Sequence, residues 1–212
     1  MGLARRHMRH TKGLSFWKLC GSGTGQGFTP VPNTGVYAIL GVWDDLVTAR
    51  RQIVEAKGYQ SFQRAACECW TVFLAPISAR GTWSGVAPFH VQKNTQQGPI
   101  AALTRATVRP SKALRFWKRV PDISSVIGAD SNVAFKIGIG EVPLMQQVTF
   151  SIWPDSESMA AFARRDGPHA RAIRAVREGD WFREELYARF HVLADDGTWH
   201  GEKPLKTLEF AA

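Results

Sequence analysis

From residue 98 onward the apolar and polar positions switch between two periods. Ile100 to Arg109 carries Ala, Thr and β-branched residues between Gly98-Pro99 and Pro110, which predicts a strand. Ser111 stands as a helix cap ahead of Leu114, Trp117 and Lys118, and Pro121 ends that helix. Val133 to Ile139 and Gln147 to Trp153 alternate in steps of two around Gly140 to Pro143, which predicts a hairpin. Asp155 caps a second helix that breaks at Asp166-Gly167 and resumes at Pro168, a residue suited to a first helical position. Leu186 to Leu193 alternates again as a last strand.

Strand, helix, strand, strand, helix, strand is the ferredoxin-like unit. Its sheet has helices on one face and an apolar surface on the other, and a second copy covers that surface in an α+β barrel. The chain contains such a copy. Its eight tryptophans form four ordered pairs, Trp17 with Trp117, Trp43 with Trp153, Trp70 with Trp181 and Trp83 with Trp199, separated by 100, 110, 111 and 116 residues. The neighbours agree: Val42-Trp43-Asp44-Asp45 stands against Ile152-Trp153-Pro154-Asp155, and Gly81-Thr82-Trp83-Ser84-Gly85 against Gly197-Thr198-Trp199-His200-Gly201. So long a period suits a duplicated small domain, not a solenoid. The expected architecture is α+β, two fused βαββαβ repeats over 1–97 and 98–212, packed as a barrel of the dimeric type.

Phe16-Trp17-Lys18 also matches Phe116-Trp117-Lys118, so the offset of 100 makes Phe16 to Leu19 part of a helix and places Cys20 at its end. The strand equivalent to Ile100–Arg109 would then precede Arg9, where Met1 to Met8 does not alternate. Repeat one is expected to lack its first strand, as a start downstream of the original one would leave it. Such a loss would expose sheet edges.

Composition narrows the class. Hydrophobic residues make up 44% and charged residues 21%, ordinary for a globular protein. No run reaches the roughly 18 apolar residues of a spanning helix, and the basic segment Met1 to Lys12 has no apolar stretch behind it. Cys20, Cys67 and Cys69 cannot all pair within the chain, and a reducing cytoplasm is expected. The net charge of +9 attracts nucleic acid, an anionic membrane surface or an acidic protein. Zinc-finger spacing and an RNP-like run are missing, so no nucleic acid is the expected partner, although charge alone leaves a non-catalytic basic binding module open.

Leu14-Ser15-Phe16-Trp17-Lys18-Leu19-Cys20-Gly21-Ser22-Gly23-Thr24-Gly25, Gly98-Pro99-Ile100 with Thr104-Arg105-Ala106-Thr107-Val108-Arg109-Pro110-Ser111, and Gly138-Ile139-Gly140-Glu141 with Thr149-Phe150-Ser151-Ile152-Trp153 resemble the spheroidene monooxygenase family. The resemblance runs from residue 14 to about residue 190. It implies a haem oxygenase of bacterial carotenoid synthesis that inserts a keto group at C-2 of spheroidene-type carotenoids, with O2 as oxidant and reduced ferredoxin as electron donor. It also implies a cytoplasmic protein with peripheral contact to the intracytoplasmic or inner membrane. A haem enzyme of the same barrel type acting on another apolar substrate is the alternative.

Haem iron takes an axial His, Cys, Tyr or Met. His7 and His10 lie in the basic N-terminal run, His200 in a turn, His90 in a loop and His191 on a strand. His169 heads a helix on which Ala172, Ile173 and Val176 share its face, so it is the expected ligand, with a satisfied core histidine as the plain alternative. Arg171 and Arg174, with Arg177, recur every three residues and could reach haem propionates or form a solvated face. Aligning Gly58 with Gly167 sets Gln60 opposite His169, so one haem per chain is expected. Cys20 is read as a packed thiol before a ligand. The Gly21 to Gly27 run misses the G-x-G-x-x-G spacing and is read as a connector or a substrate mouth. Arg105, Lys136 and Gln147, on predicted strands, are the candidate catalytic hydrogen-bond donors.

Overall fold

The computed structural model describes residues 2–27, 29–91, 98–117, 132–164 and 179–208. Seven strands form one sheet: β1 (Leu14–Gly23), β2 (Pro32–Trp43), β3 (Trp70–Gly81), β4 (Ile100–Val108), β5 (Phe135–Gly140), β6 (Gln146–Trp153) and β7 (Phe182–Gly197). The order is β2-β1-β5-β6-β4-β7-β3, and every paired neighbour is antiparallel. The helices are α1 (Gly2–Arg9), α2 (Leu46–Glu55), α3 (Lys57–Gln63), α4 (113–117, entered through a 3₁₀ turn at Pro110–Lys112) and α5 (Ser156–Arg164).

The second half runs β4-α4-β5-β6-α5-β7, the order that alternation predicts, in the spatial arrangement β5-β6-β4-β7. Pairing of Leu103 with Phe150 and of Ile137 with Phe150 puts the odd residues of β4 and β5 on the face of Phe150. That inner face holds Ala101, Leu103, Val148, Ile152, Leu186, Ala188 and Phe190, with Cys20 and Trp83 contributed by the first half. On the opposite face Met159 and Phe162 of α5 cover Ile100 and Trp153. Asp155 caps α5 as expected, accepting from Ser158 N–H at 2.7 Å, and Asp45 caps α2 identically through Thr48 N–H at 2.7 Å.

Among the described residues the first half has the same order without a first strand: α1, β1, β2, the α2–α3 pair, β3. Where β4 lies between β6 and β7, no described strand lies between β2 and β3, so these two are the sheet edges. No residue of β2 is buried, as an edge strand with a solvated flank requires.

One sequence expectation is corrected. Phe16 to Leu19 is strand, not helix, and the helix before it ends at Arg9. The offset of 100 joined a strand tryptophan to a helical one: Trp17 packs on the helix side of β1 with Leu14, Leu19 and Tyr59, whereas Trp117 follows α4's first turn and donates to Leu144 O at 3.0 Å. The structural partner of Phe16 is Phe135. Each ring meets the tryptophan of its own half's Gly-Thr-Trp turn edge-on, Phe16 on Trp83 at 6.0 Å and Phe135 on Trp199 at 5.5 Å.

Candidate functional site

Those two turns are copies in detail. Gly81 and Gly197 have φ of 98° and 92°, Ser84 and His200 have 56° and 55°, and Gly85 and Gly201 have 77° and 76°. A turn that bends so sharply aims several N–H groups at one point, and a carboxylate satisfies them. Each half supplies that carboxylate to the other. Glu184 of β7 accepts from Thr82 Oγ1 at 2.9 Å and Gly85 N–H at 2.7 Å, while Glu68, just before β3, accepts from Thr198 Oγ1, His200 N–H and Gly201 N–H, each at 2.7 Å. The hydrogen bond from Thr198 and those from Gly201 and His200 hold Glu68 below the usual carboxylate range. Burial works to raise Glu184, but Gly85, Thr82 and the Arg105 cation outweigh it and the net shift is downward.

Around these matching turns the two ends of the sheet differ. At the Trp83 end the inner face carries a polar cluster. Arg105, 1% exposed, pairs through Nη1 with Glu184 and lies 5.7 Å from the Trp83 ring centroid. Among the described residues its Nε and Nη2 have no hydrogen-bond partner. Trp83 Nε1 donates to Glu141 at 2.5 Å, and Lys18 bridges Glu141 at 3.0 Å and Ser84 Oγ at 2.6 Å. Cys20 is buried beside this cluster; burial pushes its thiol up to about 12, with Glu141 adding to the effect and Lys18 and Arg105 opposing it. Cys20 is packed in the inner-face core, the place that the sequence suggests for a small apolar side chain.

The Trp199 end is aromatic and open. Phe135 touches Trp70 at 4.5 Å, Trp199 at 5.5 Å and Phe150 at 6.5 Å between centroids. Next to it lies a cleft of about 340 Å³, bounded by Gly25 and Gln26, by Asn33 and Val36 of β2, and by Trp199 and His200. Phe135, Lys136 and Ile137 of β5 form its wall. The glycine run forms the rim: Gln26 O accepts Gly138 N–H at 2.8 Å and Ser22 Oγ donates to Gly138 O at 2.8 Å. Gly27 is irreplaceable in that contact, since a Cβ would fall 1.9 Å from Gly138 O and its φ is +87°.

The three candidate donors do not converge. Arg105 points to the inner face with Val148, its pairing partner. Lys136 pairs with Ser151 and Gln147 with Ala106, which sets both on the helix-facing side. Burial holds Lys136 below the usual lysine value. Between them that side presents Ala102, Thr104, Ala106, Gly138 and Thr149, all small. His169, Arg171 and Arg174 lie outside the described residues, in the segment that follows α5. Of the other histidines, His191 is buried at the Ile100 pairing position, and His7, His10 and His200 are exposed. Among the described residues no three His, Cys, Asp or Glu side chains group to hold a metal ion, and no helix is long and apolar enough to cross a membrane. The sequence reading missed Glu68, Glu184 and the cleft. The repeated Gly-Thr-Trp-x-Gly was a usable signal for the glutamates, because such turns demand an acceptor.

Fold and site together define a duplicated ferredoxin-like α+β protein whose two halves differ in charge at one end and openness at the other. No protein-family model matches the chain. It is 55% identical over 200 residues to spheroidene monooxygenase of Cereibacter sphaeroides, covering 93% of this chain and 62% of that one. It is 51% identical over 214 residues to spheroidene monooxygenase of Rhodobacter capsulatus, covering 99% and 89%, and 35% identical over 191 residues to that of Rubrivivax gelatinosus, covering 90% and 73%. The chain belongs to the spheroidene monooxygenase family, and it spans less than two thirds of the Cereibacter protein. Solved structures match at TM-scores of 0.36 to 0.45 and 9 to 14% identity, an anthrone oxidase-like protein among them, and at these scores none bears on the site.

Proposed function

We propose that the chain is a haem-dependent monooxygenase that inserts a keto group at C-2 of spheroidene-type acyclic carotenoids, using O2 and reduced ferredoxin. The carrying observation is its 51% identity to a spheroidene monooxygenase over 99% of its own length. Among the described residues the helix-facing side of the second half presents the small side chains of Ala102, Thr104, Ala106, Gly138 and Thr149, against which a flat cofactor would lie, with α5 packed on Ile100 and Trp153 beside them. His169 would ligate the iron, with Arg171 and Arg174 on the propionates. Haem, when bound, would supply the oxidising power that oxygenation of a C–H bond requires.

The chain's own residues do the positioning. Lys136 Nζ and Gln147 Nε2 stand on the same face as the small-residue floor and are the groups to donate hydrogen bonds or a proton there. Arg105 acts from the other side, tying β4 to β7 through Glu184, and is a positioning residue. Two rounds of hydroxylation at one carbon, each consuming one O2, two electrons and two protons, give a geminal diol that loses water to the ketone. The net charge of +9 suits an acidic ferredoxin and the anionic surface of the membrane that holds the carotenoid.

Protein purified after expression with ample haem is expected to show a Soret band that His169→Ala removes while the far-ultraviolet circular dichroism stays unchanged. Colourless wild-type protein would end the haem assignment. Wild-type protein that leaves spheroidene unchanged with ferredoxin, reductase and O2 would end the substrate assignment.

A further inference from the structure

The cleft beside β5 touches both faces of the sheet. Consecutive residues of a strand point to opposite sides, so a cavity walled by Phe135, Lys136 and Ile137 together lies along that strand's open edge. One edge of β5 pairs with β6 from Phe135 to Ile139, whereas the other meets β1 only at Gly21–Gly140 and Ser22–Ile139. Beyond those two pairs β1 leaves the sheet through the glycine run, and the gap becomes a slot. Its lining includes Phe135 and Trp199 of the aromatic end together with Lys136 of the helix-facing side.

The matching end of the other half is occupied by polar side chains. Phe16 and Phe135 are equivalent, so Lys18 stands where the second half has Ile137, and Ser84 stands where it has His200. Lys18, Ser84 and Glu141 join in hydrogen bonds around Trp83 and fill that end. Common scaffold recurs in both halves, and a single asymmetric ligand is met by what does not recur.

We infer that this slot receives the methoxylated end of the rod-shaped carotenoid, an inference that rests on the substrate reading above. Phe135 and Trp199 lie along the polyene, and Gln26 and His200 on the rim offer N–H donors to the ether oxygen. At about 340 Å³ the slot lies at the small end of ligand sites, roughly 300–1,000 Å³, and takes one end of a long polyene instead of its length. The end that carries C-2 is thereby brought to the face of the sheet where Lys136 lies.

The test is titration of the full chain with spheroidene, and with lycopene, which lacks the ether oxygen, each in mild detergent and read by the shift of the polyene absorption. Gln26 is exposed and only its backbone holds the rim, so Gln26→Trp blocks the mouth without disturbing the fold. It is expected to weaken spheroidene binding about tenfold or more, whereas Val47→Trp on the exposed side of α2 leaves binding unchanged. His200→Gly keeps the left-handed backbone, removes that side-chain donor and is expected to narrow the preference for spheroidene over lycopene. Wild-type affinity in Gln26→Trp, or an undiminished preference in His200→Gly, overturns the slot assignment while the substrate reading stands. Wild-type protein that neither binds nor converts spheroidene overturns the substrate reading itself.

Discussion

Removing either partner of the Arg105–Glu184 pair unbalances a charge, but the two removals are not equivalent. Arg105 is 1% exposed, and two of its three nitrogens have no partner among the described residues. In Glu184→Gln the amide still accepts from Thr82 and Gly85, yet it turns an NH2 group toward the guanidinium. A fully buried cation is left without its counter-ion, which costs about 3–5 kcal/mol. In Arg105→Met the carboxylate that remains is 20% exposed and keeps its hydrogen bonds to Thr82 and Gly85, so the loss is about 1–3 kcal/mol. Since a domain's whole stability is about 5–15 kcal/mol, both fall within the range of urea unfolding at pH 7. The double variant is expected to be more stable than the sum of the single losses implies, with a coupling of about 1–3 kcal/mol. If Arg105→Met costs as much as Glu184→Gln, or if the double variant is simply additive, the buried pair is not what ties β4 to β7.

The glycine rim gives a paired expectation. Gly27→Ala costs about 1–3 kcal/mol in backbone strain and more from the clash with Gly138 O, whereas Gly25→Ala, with φ +64° and open space around its Cβ, costs only about 1–2 kcal/mol; thermal unfolding of the two variants side by side checks the order. Glu68 and Glu184 both titrate below the ordinary carboxylate value, so the stabilisation they give is complete above about pH 4.3 and is lost as the pH falls through their depressed pKa values. Urea midpoints measured from pH 7 down to pH 3 are therefore expected to fall at the acid end. Glu68→Gln is expected to flatten that fall, and an unchanged slope would dismiss Glu68 as a linkage group.

Much of the fold was legible because its cues are local. The Asp155 cap, the repeated Gly-Thr-Trp turn and the period-two runs of the second half each depend on a few neighbouring residues, and the structure contains them all. The expected lack of a first strand in repeat one came from counting elements, and no described strand lies between the sheet edges β2 and β3. The misreading of Phe16 to Leu19 came from trusting a matching tripeptide over alternation, since Phe16, Lys18 and Cys20 on one side and Trp17 and Leu19 on the other already form a strand pattern.

What only the tertiary structure decided is which side each side chain takes and where space is left. Alternation says that Arg105 and Ala106 point apart, but the pairing of β4 with β6 and of β6 with β5 decides that Lys136 and Gln147 share a face that Arg105 does not. The reciprocal carboxylates Glu68 and Glu184 each serve a turn more than 90 residues away, and the slot exists because β1 and β5 part after two residue pairs. Period and composition are properties of a stretch of chain. Burial, counter-ions and cavities are set by the register between distant stretches, and that register is fixed only when the two halves pack.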